Sequence, residues 1–431
     1  MPILFKLIFY VRTPFLQIAR IKHKAGQQEN LEIGNRLSTQ FLRDVTRNGQ
    51  SDGKEFCPVH PVNSFIHIAK LQIIINYQLS IINYFLIFAS EMAKNRIEYI
   101  DAMRGFTMIL VIYSHVCVFC FKDYFMAFND VLFLLRMPCF FFISGWLFYK
   151  ATRIWDQSTV KQVISNKLMV QIVPTFIFLA LHERTNFFHQ LGAVKGGYWF
   201  TFALFIYFVI YILSSLAFRR CKHRDLWMLL IALFISMSAS WYDVHYQQIS
   251  RQLGWGRYAL GFLSFMTWRY YLFFFLGTLV KKNFDKFLEW TNRREVFFVV
   301  IALFVLMASL PRIEYWPWVY TRFAVSGICG MVMVFTFFRY FASWFTKERV
   351  LGRSLQYVGI RTLDIYLLHF FFLPESMLAY NRQLLAYGNK FLEVCVVLGE
   401  ALLVLAACLI ASYIIRLSPF LAHYLFGVKD R

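Results

Sequence analysis

Few side chains in this sequence could do chemistry in an apolar setting, and the best placed are Arg104 and His115, eleven residues apart in one apolar run that begins Arg96-x-x-x-x-Asp101-x-x-Arg104-Gly105. A charge or imidazole inside a lipid-spanning helix is unfavourable, so such a residue turns inward and is a functional candidate by default. At 3.6 residues per turn the two lie about 20° from one face and roughly 16 Å apart along the axis. That face presents a fixed cation near one end and an imidazole near mid-membrane. An imidazole can take the proton of an incoming hydroxyl because its unperturbed pKa is near neutrality. The spacing suits a coenzyme A thioester, a long donor charged at one end, with the cation near its phosphates and the imidazole near its acyl carbon. The plainer alternative is that His115 only hydrogen-bonds a neighbouring helix and Arg104 snorkels to the interface. For the pair on one face, chemistry is the stronger reading.

Other polar residues are weaker candidates. Met137-Pro138 and Ser144-Gly145-Trp146 share one apolar helix, in which Pro138 loosens the backbone and Ser144-Gly145 lets a second helix come close. Thr362, Tyr366 and His369 fall on a common helical face, with Asp364 pointing elsewhere. For His369 a structural hydrogen bond is favoured over direct catalysis. Trp199 stands at a helix boundary, first an interfacial anchor and second a surface for sugar stacking. Glu393 and Glu400, seven apart, share a face of the last apolar helix. His182 and His189 are read as solvated loop residues. Cys117-x-x-Cys120 lies inside an apolar helix with no second ligand pair, so it reads as packing. No Gly-x-Ser-x-Gly elbow, phosphate loop or zinc-ligand cluster occurs, and no metal is expected.

The elements that must hold these residues follow from composition. Of 431 residues, 59% are hydrophobic and only 16% charged, which argues against a water-soluble globule and for an all-α, polytopic membrane protein. The net charge of +21 lies in short clusters beside apolar runs rather than in one stripe, so membrane topology explains it and no nucleic-acid partner is implied. Ten helices are predicted, over 103–121, 131–149, 168–182, 198–218, 226–240, 258–280, 296–310, 319–343, 357–374 and 391–417. Even-numbered loops carry 16 basic residues and odd-numbered loops 8, which places both ends of the ten-helix unit in the cytoplasm. Residues 1–91 differ in composition and show no chemistry; they are read as an extension outside the functional unit, which is expected to begin near Met92 and to run as one membrane domain over 92–431. Mass spectrometry of the native amino terminus tests this.

The run Arg-Ile-Glu-Tyr-Ile-Asp-Ala-Met-Arg-Gly, then Ser-His115, then Met137-Pro-Cys-Phe-Phe-Phe-Ile-Ser-Gly resembles the opening of acyltransferase family 3, especially its fucose 4-O-acetylase-like members. Gly197-Tyr-Trp199-Phe200 and Asp364-Ile-Tyr366-Leu-Leu-His369 continue the likeness, which covers residues 95 to 420. The resemblance implies an integral membrane enzyme that O-acylates extracytoplasmic or membrane-linked glycans, and its pattern of Arg or Lys, ten residues, then His implies that Arg104 and His115 are essential. The family's Arg-x-x-Arg before a proline in the third helix is not preserved. Ahead of Pro174 those positions are Leu168 and Gln171, with Lys167 the nearby cation.

The expectation is an acetyl-coenzyme A dependent O-acetyltransferase of the inner (plasma) membrane, with His115 and Arg104 catalytic and Asp101, Ser144, Lys167, Trp199, Tyr366 and His369 contacting substrate. Acetyl-coenzyme A or another acyl-coenzyme A is the co-substrate, with no resident cofactor; membrane lipid and a cell-surface polysaccharide or lipid-linked sugar are the partners. A glycan or lipid transporter or flippase is the rival, and a lapsed family member acting as scaffold is the third reading.

Overall fold

The computed structural model describes residues 97–123, 128–183, 186–192, 194–311 and 313–428, and among these every regular element is helical. The reading of residues 1–91 lies outside them. In chain order the helices are α1 Glu98–His115, α2 Asn129–Phe148, α3 Gln157–Lys167, α4 Val173–His182, α5 Trp199–Ala217 and α6 Arg224–Val244. There follow α7 Tyr246–Gln252, α8 Gly256–Phe262, α9 Tyr271–Lys282, α10 Phe284–Thr291, α11 Arg294–Ser309 and α12 Trp316–Tyr340. The last are α13 Val350–Ile360, α14 Thr362–Leu368, α15 Leu378–Ala386, α16 Lys390–Arg416 and α17 Pro419–Phe426.

An apolar chain in hydrocarbon must satisfy its backbone internally, and helices do so within one segment. Among the described residues, seven helical stretches are long and apolar enough to cross a membrane: Glu98–Cys120, Asn129–Phe148, Gln157–His182, Trp199–Ala217, Arg224–Val244, Trp316–Tyr340 and Lys390–Arg416. An eighth forms if α8 and the stretch Phe265–Lys282, bent by 46°, are taken together. Each of the ten predicted segments therefore meets helix, but not all meet the expected length. The sixteen residues of α11 rise ~24 Å against a hydrocarbon core of about 30 Å. The ninth segment is divided where α13 ends, because the backbone at Arg361 (φ −96°, ψ 12°) leaves the helical range. Apolar patterning counts side chains and is blind to such turns. The third span begins earlier than predicted: Asp156 caps it by accepting the Thr159 amide at 3.0 Å, and a π turn over Leu168–Ile172 carries α3 into α4.

Two helix crossings set the frame. A Cβ built on Gly105 of α1 would lie 2.0 Å from the Leu355 carbonyl oxygen of α13, and one on Gly359 would lie 2.0 Å from that of Asp101. The same reciprocity joins α2 to α9, where a Cβ on Gly145 would fall 1.9 Å from the Phe274 oxygen and one on Gly277 2.0 Å from that of Phe142. Small residues let main chains approach this closely. The glycines of the Arg-Gly and Ser-Gly pairs are thus packing devices on the two helices that carry the candidate chemistry. Ser114 donates to the Asn129 side chain, tying the end of α1 to the start of α2.

The core between the helices is aromatic, with Phe141, Tyr207, Phe273 and Phe274 fully enclosed. Cys117 and Cys120 are buried as free thiols against neighbouring helices, as packing residues should be. Asp364 does point away from the Tyr366 face. Its buried carboxylate accepts Nε and Nη2 of Arg416 at 2.7 and 2.9 Å and the Ser412 hydroxyl at 2.6 Å, which fastens α14 to α16. A buried charge is tolerated when paired and hydrogen-bonded in this way.

Candidate active site

Two helices lose their regularity at a histidine. Directly after His115 the first span opens into a π turn, Val116–Cys120, and α14 gives way to a 3-10 turn that begins at His369. Such irregular turns recur at functional sites. The His115 Nδ1 lies 2.7 Å from His369 Nε2, the two rings 8° from parallel. His369 Nδ1 lies 2.6 Å from the Tyr366 carbonyl oxygen. A carbonyl only accepts, so His369 Nδ1 carries a proton and its Nε2 offers a lone pair. That lone pair must meet a proton on His115 Nδ1, which leaves the lone pair of a neutral His115 on Nε2. His369 is fully buried while His115 is half-buried.

His115 borders a cavity of about 270 Å³ whose wall also holds Arg136, Trp199, Arg269 and Tyr270. A smaller recess of about 40 Å³ joins His115, Arg136, Trp199 and Tyr366. Arg136 comes from the middle of α2, is 6% exposed, and lies 4.2 Å above the Phe133 ring. Arg269 pairs with Asp243 at 2.5 Å on the far wall. Trp199 stacks on Tyr270, with centroids 5.8 Å apart. The Tyr366 hydroxyl donates to the Gly197 carbonyl at 2.9 Å and accepts the Phe200 amide at 3.1 Å, so it fastens α14 to the start of α5. An apolar, aromatic cavity with a few convergent polar groups is the usual form of a small-molecule site.

The roof of the cavity is held by a lysine. Lys195 is 1% exposed, and its ammonium donates to the Phe262 carbonyl at 2.6 Å, the Ser264 hydroxyl at 2.9 Å and the Gly192 carbonyl at 3.2 Å. Burial pushes its pKa down to about 8. These bonds join the segment before α5 to the bend after α8, and residues from both (Val194, Gly197, Met266 and Thr267) line the cavity.

The other end of the bundle is cationic. Lys167 lies 4.3 Å over the Phe208 ring, and the charges of Arg104, Arg153 and Lys150 all act on it. Neither space that His115 borders includes Arg104, and Met108, Val111 and Ile112 between the two positions are buried. His115 stands ~25 Å along the axis from Glu98, in the final third of its span rather than near the middle.

The structure therefore divides the sequence candidates. His115, His369, Tyr366 and Trp199 come together, while Arg104 and Lys167 form a separate group. Asp101 lies one turn before Arg104, with its carbonyl under Gly359. The Ser144 hydroxyl is spent on the Phe140 carbonyl of its own helix at 2.8 Å. His182 is not a solvated loop residue: it ends α4, half-buried, 5.8 Å from the Phe370 ring that also packs on His115 and His369. His189 falls in a short 3-10 turn. Glu393 pairs with Lys390 at 3.0 Å, and Glu400 is buried. Sequence reasoning passed over Arg136, Arg269, Asp243 and Lys195. The signal for Arg136 was present, since a guanidinium eight residues into a 20-residue apolar helix meets the same criterion that singled out His115.

Chemically, the arrangement offers an oriented base beside a buried guanidinium, in a largely apolar space of a size for a small acceptor. The sequence profile of the family described as Acyltransferase domain matches residues 97–417. No curated protein matches the chain. No solved structure matches it.

Proposed function

Because the chain belongs to acyltransferase family 3, a family of membrane transferases, we propose that it moves an acyl group, acetyl by preference, from an acyl-coenzyme A to a sugar hydroxyl of a cell-surface polysaccharide or lipid-linked glycan at the inner membrane. The observation that carries this reading is the His115–His369 hydrogen bond at the edge of a cavity. His115 Nε2 takes the acceptor proton, and the resulting oxygen nucleophile attacks the thioester carbonyl. The imidazolium that forms keeps its Nδ1 proton on His369 Nε2, so His369 orients the base and steadies its charge, as the third group of a triad does. Arg136, the buried cation beside the base, is the group to stabilise the tetrahedral oxyanion. Collapse breaks the carbon–sulfur bond, and the imidazolium returns its proton to the departing thiolate. Trp199 and Tyr270 give the sugar ring an aromatic wall.

Arg104 and Lys167 attract the donor's anionic end from the opposite side of the bundle, so donor and acceptor approach from opposite faces. The experiment is transfer of labelled acetyl from acetyl-coenzyme A by membranes that hold the protein. Loss of transfer in His115→Ala with normal insertion supports the reading. Retained transfer, or a wild type that translocates a glycan without turning over the thioester, removes it.

A further inference from the structure

Beside Lys167, at the end of α2 remote from His115, lies a recess of about 170 Å³ lined by Lys150, Arg153, Arg224 and Lys282 against one carboxylate, Asp225. Asp225 is committed to Lys282, at 2.7 and 2.9 Å. Among the described residues no carboxylate pairs with Lys150, Arg153 or Arg224, so three positive charges face this small space without an acid. Arg224 donates to Ser215 through Nη2, yet its Nε is buried with no hydrogen-bond partner. A buried donor of this kind calls for an acceptor supplied from outside. Arg153 spans the rings of Phe148 and Trp155, 5.0 and 5.3 Å away, and Trp155 is half-buried on the same wall.

These features define a ligand chemistry. Guanidinium pairs suit phosphate oxygens, and an indole face suits a nucleobase. The recess is too small for a whole nucleotide, so it takes the phosphates and leaves the base on the indole. Resting on the transfer reading above, we propose that this recess receives the phosphate-bearing nucleotide end of the acyl donor, with Lys150, Arg153 and Arg224 on the phosphates, Trp155 against the base and Arg104 attracting the donor only from a distance. Length agrees. Phe148 at the recess and Arg136 at the cavity are twelve residues apart on α2, ~18 Å. The twelve-bond arm of a coenzyme A thioester reaches ~14 Å from phosphate oxygen to sulfur when extended. The acyl carbon and the phosphate itself make up most of the difference. Lys167 shares the Phe148 ring with Arg153 and continues the positive surface toward Arg104.

Anionic lipid headgroups have the same phosphate chemistry, and the test separates the two. The full chain in neutral-lipid nanodiscs is titrated with 3′,5′-adenosine bisphosphate and with pantetheine, and the melting temperature is compared with that in phosphatidylglycerol nanodiscs. The bisphosphate should bind and raise the melting temperature, and pantetheine should not. Arg153→Gln with Arg224→Gln should weaken binding about a hundredfold, roughly tenfold per charge-assisted contact. Lys150→Gln, at an exposed position that leaves folding alone, should weaken it several-fold, and His115→Ala should bind as the wild type does. Equal bisphosphate affinity in wild type and Lys150→Gln, or stabilisation by phosphatidylglycerol alone, overturns the assignment. A wild type that binds the bisphosphate but transfers no acetyl removes the transfer reading and keeps the recess. Transfer with an unchanged donor KM in the arginine variants removes the recess and keeps the transfer.

Discussion

The two ends of the bundle are built on opposite principles. Around His115 several polar groups are held by directional bonds: one imidazole on another, that one on a carbonyl, Tyr366 between Gly197 and Phe200, Arg269 on Asp243. Around Lys167 the cations outnumber the acids, and the guanidinium of Arg153 leans on rings and a carbonyl instead of a carboxylate. Directional bonds fix atoms to fractions of an ångström, which bond-making requires. Surplus charge acts over several ångströms and suits capture of a mobile anion. The contrast separates positioning from attraction within one chain, and mutations should separate them too.

The sharpest test falls on the ordered end. His115→Ala should lower acyl transfer by about 10³-fold, within the range for loss of a general base, without loss of membrane insertion; a smaller change than tenfold would dissolve the distinction between the ends. Next, His369→Ala should reduce kcat by about 10²-fold and alter the pH profile of transfer, because His115 loses the acceptor that fixes its tautomer. His369→Gln, whose side-chain oxygen can accept from Nδ1, should recover part of that loss; an identical deficit in both variants would make the role of His369 purely one of packing. At the cationic end Arg104→Ala should raise the KM for acyl-coenzyme A about tenfold with kcat nearly unchanged, as expected for a distant attraction. A collapse of kcat there would merge the two ends into one machine.

The smallest effect concerns Lys195. Its folded pKa, near 8, lies below the free value of about 10.4, so between these values the unfolded chain binds more protons than the folded one. Stability should therefore rise with pH through that window, by no more than about 1.4 kcal/mol per pH unit for one proton. Thermal unfolding of wild type against Lys195→Met should show this slope only in the wild type. A common slope would mean that other groups set it.

What the sequence made legible follows the same divide. The eleven-residue spacing announced Arg104 and His115 on one helix, and Ser144-Gly145 announced a close crossing, because both are local patterns that helical geometry reads directly. The partner of His115 was beyond reach: His369 lies 254 positions away and meets it only through the packing of α13 and α14 against the first span. The sequence favoured a structural hydrogen bond at His369; the structure places its bonds on His115 and on the Tyr366 carbonyl, a pairing that no local pattern announces. Arg136 was readable and was missed amid the phenylalanines. Lys195 and Arg224 carry no local signal, since a lysine in a loop and an arginine at a helix start look like ordinary surface residues until the fold encloses them. The span count differed because α11 and Thr362–Phe372 are apolar but short.

The reciprocal glycine contacts have a mechanical corollary. Where main chain meets main chain at Gly105–Leu355 and Gly145–Phe274, no rotamer is present to cushion a sliding motion. The struts that carry the imidazole and its neighbouring guanidinium are thereby locked like a chassis. On the transfer reading, the run from Tyr246 to Tyr270, broken into short helices and fastened by the side chains of Lys195, Tyr207 and Ser236, is the part left to give way to an incoming acceptor.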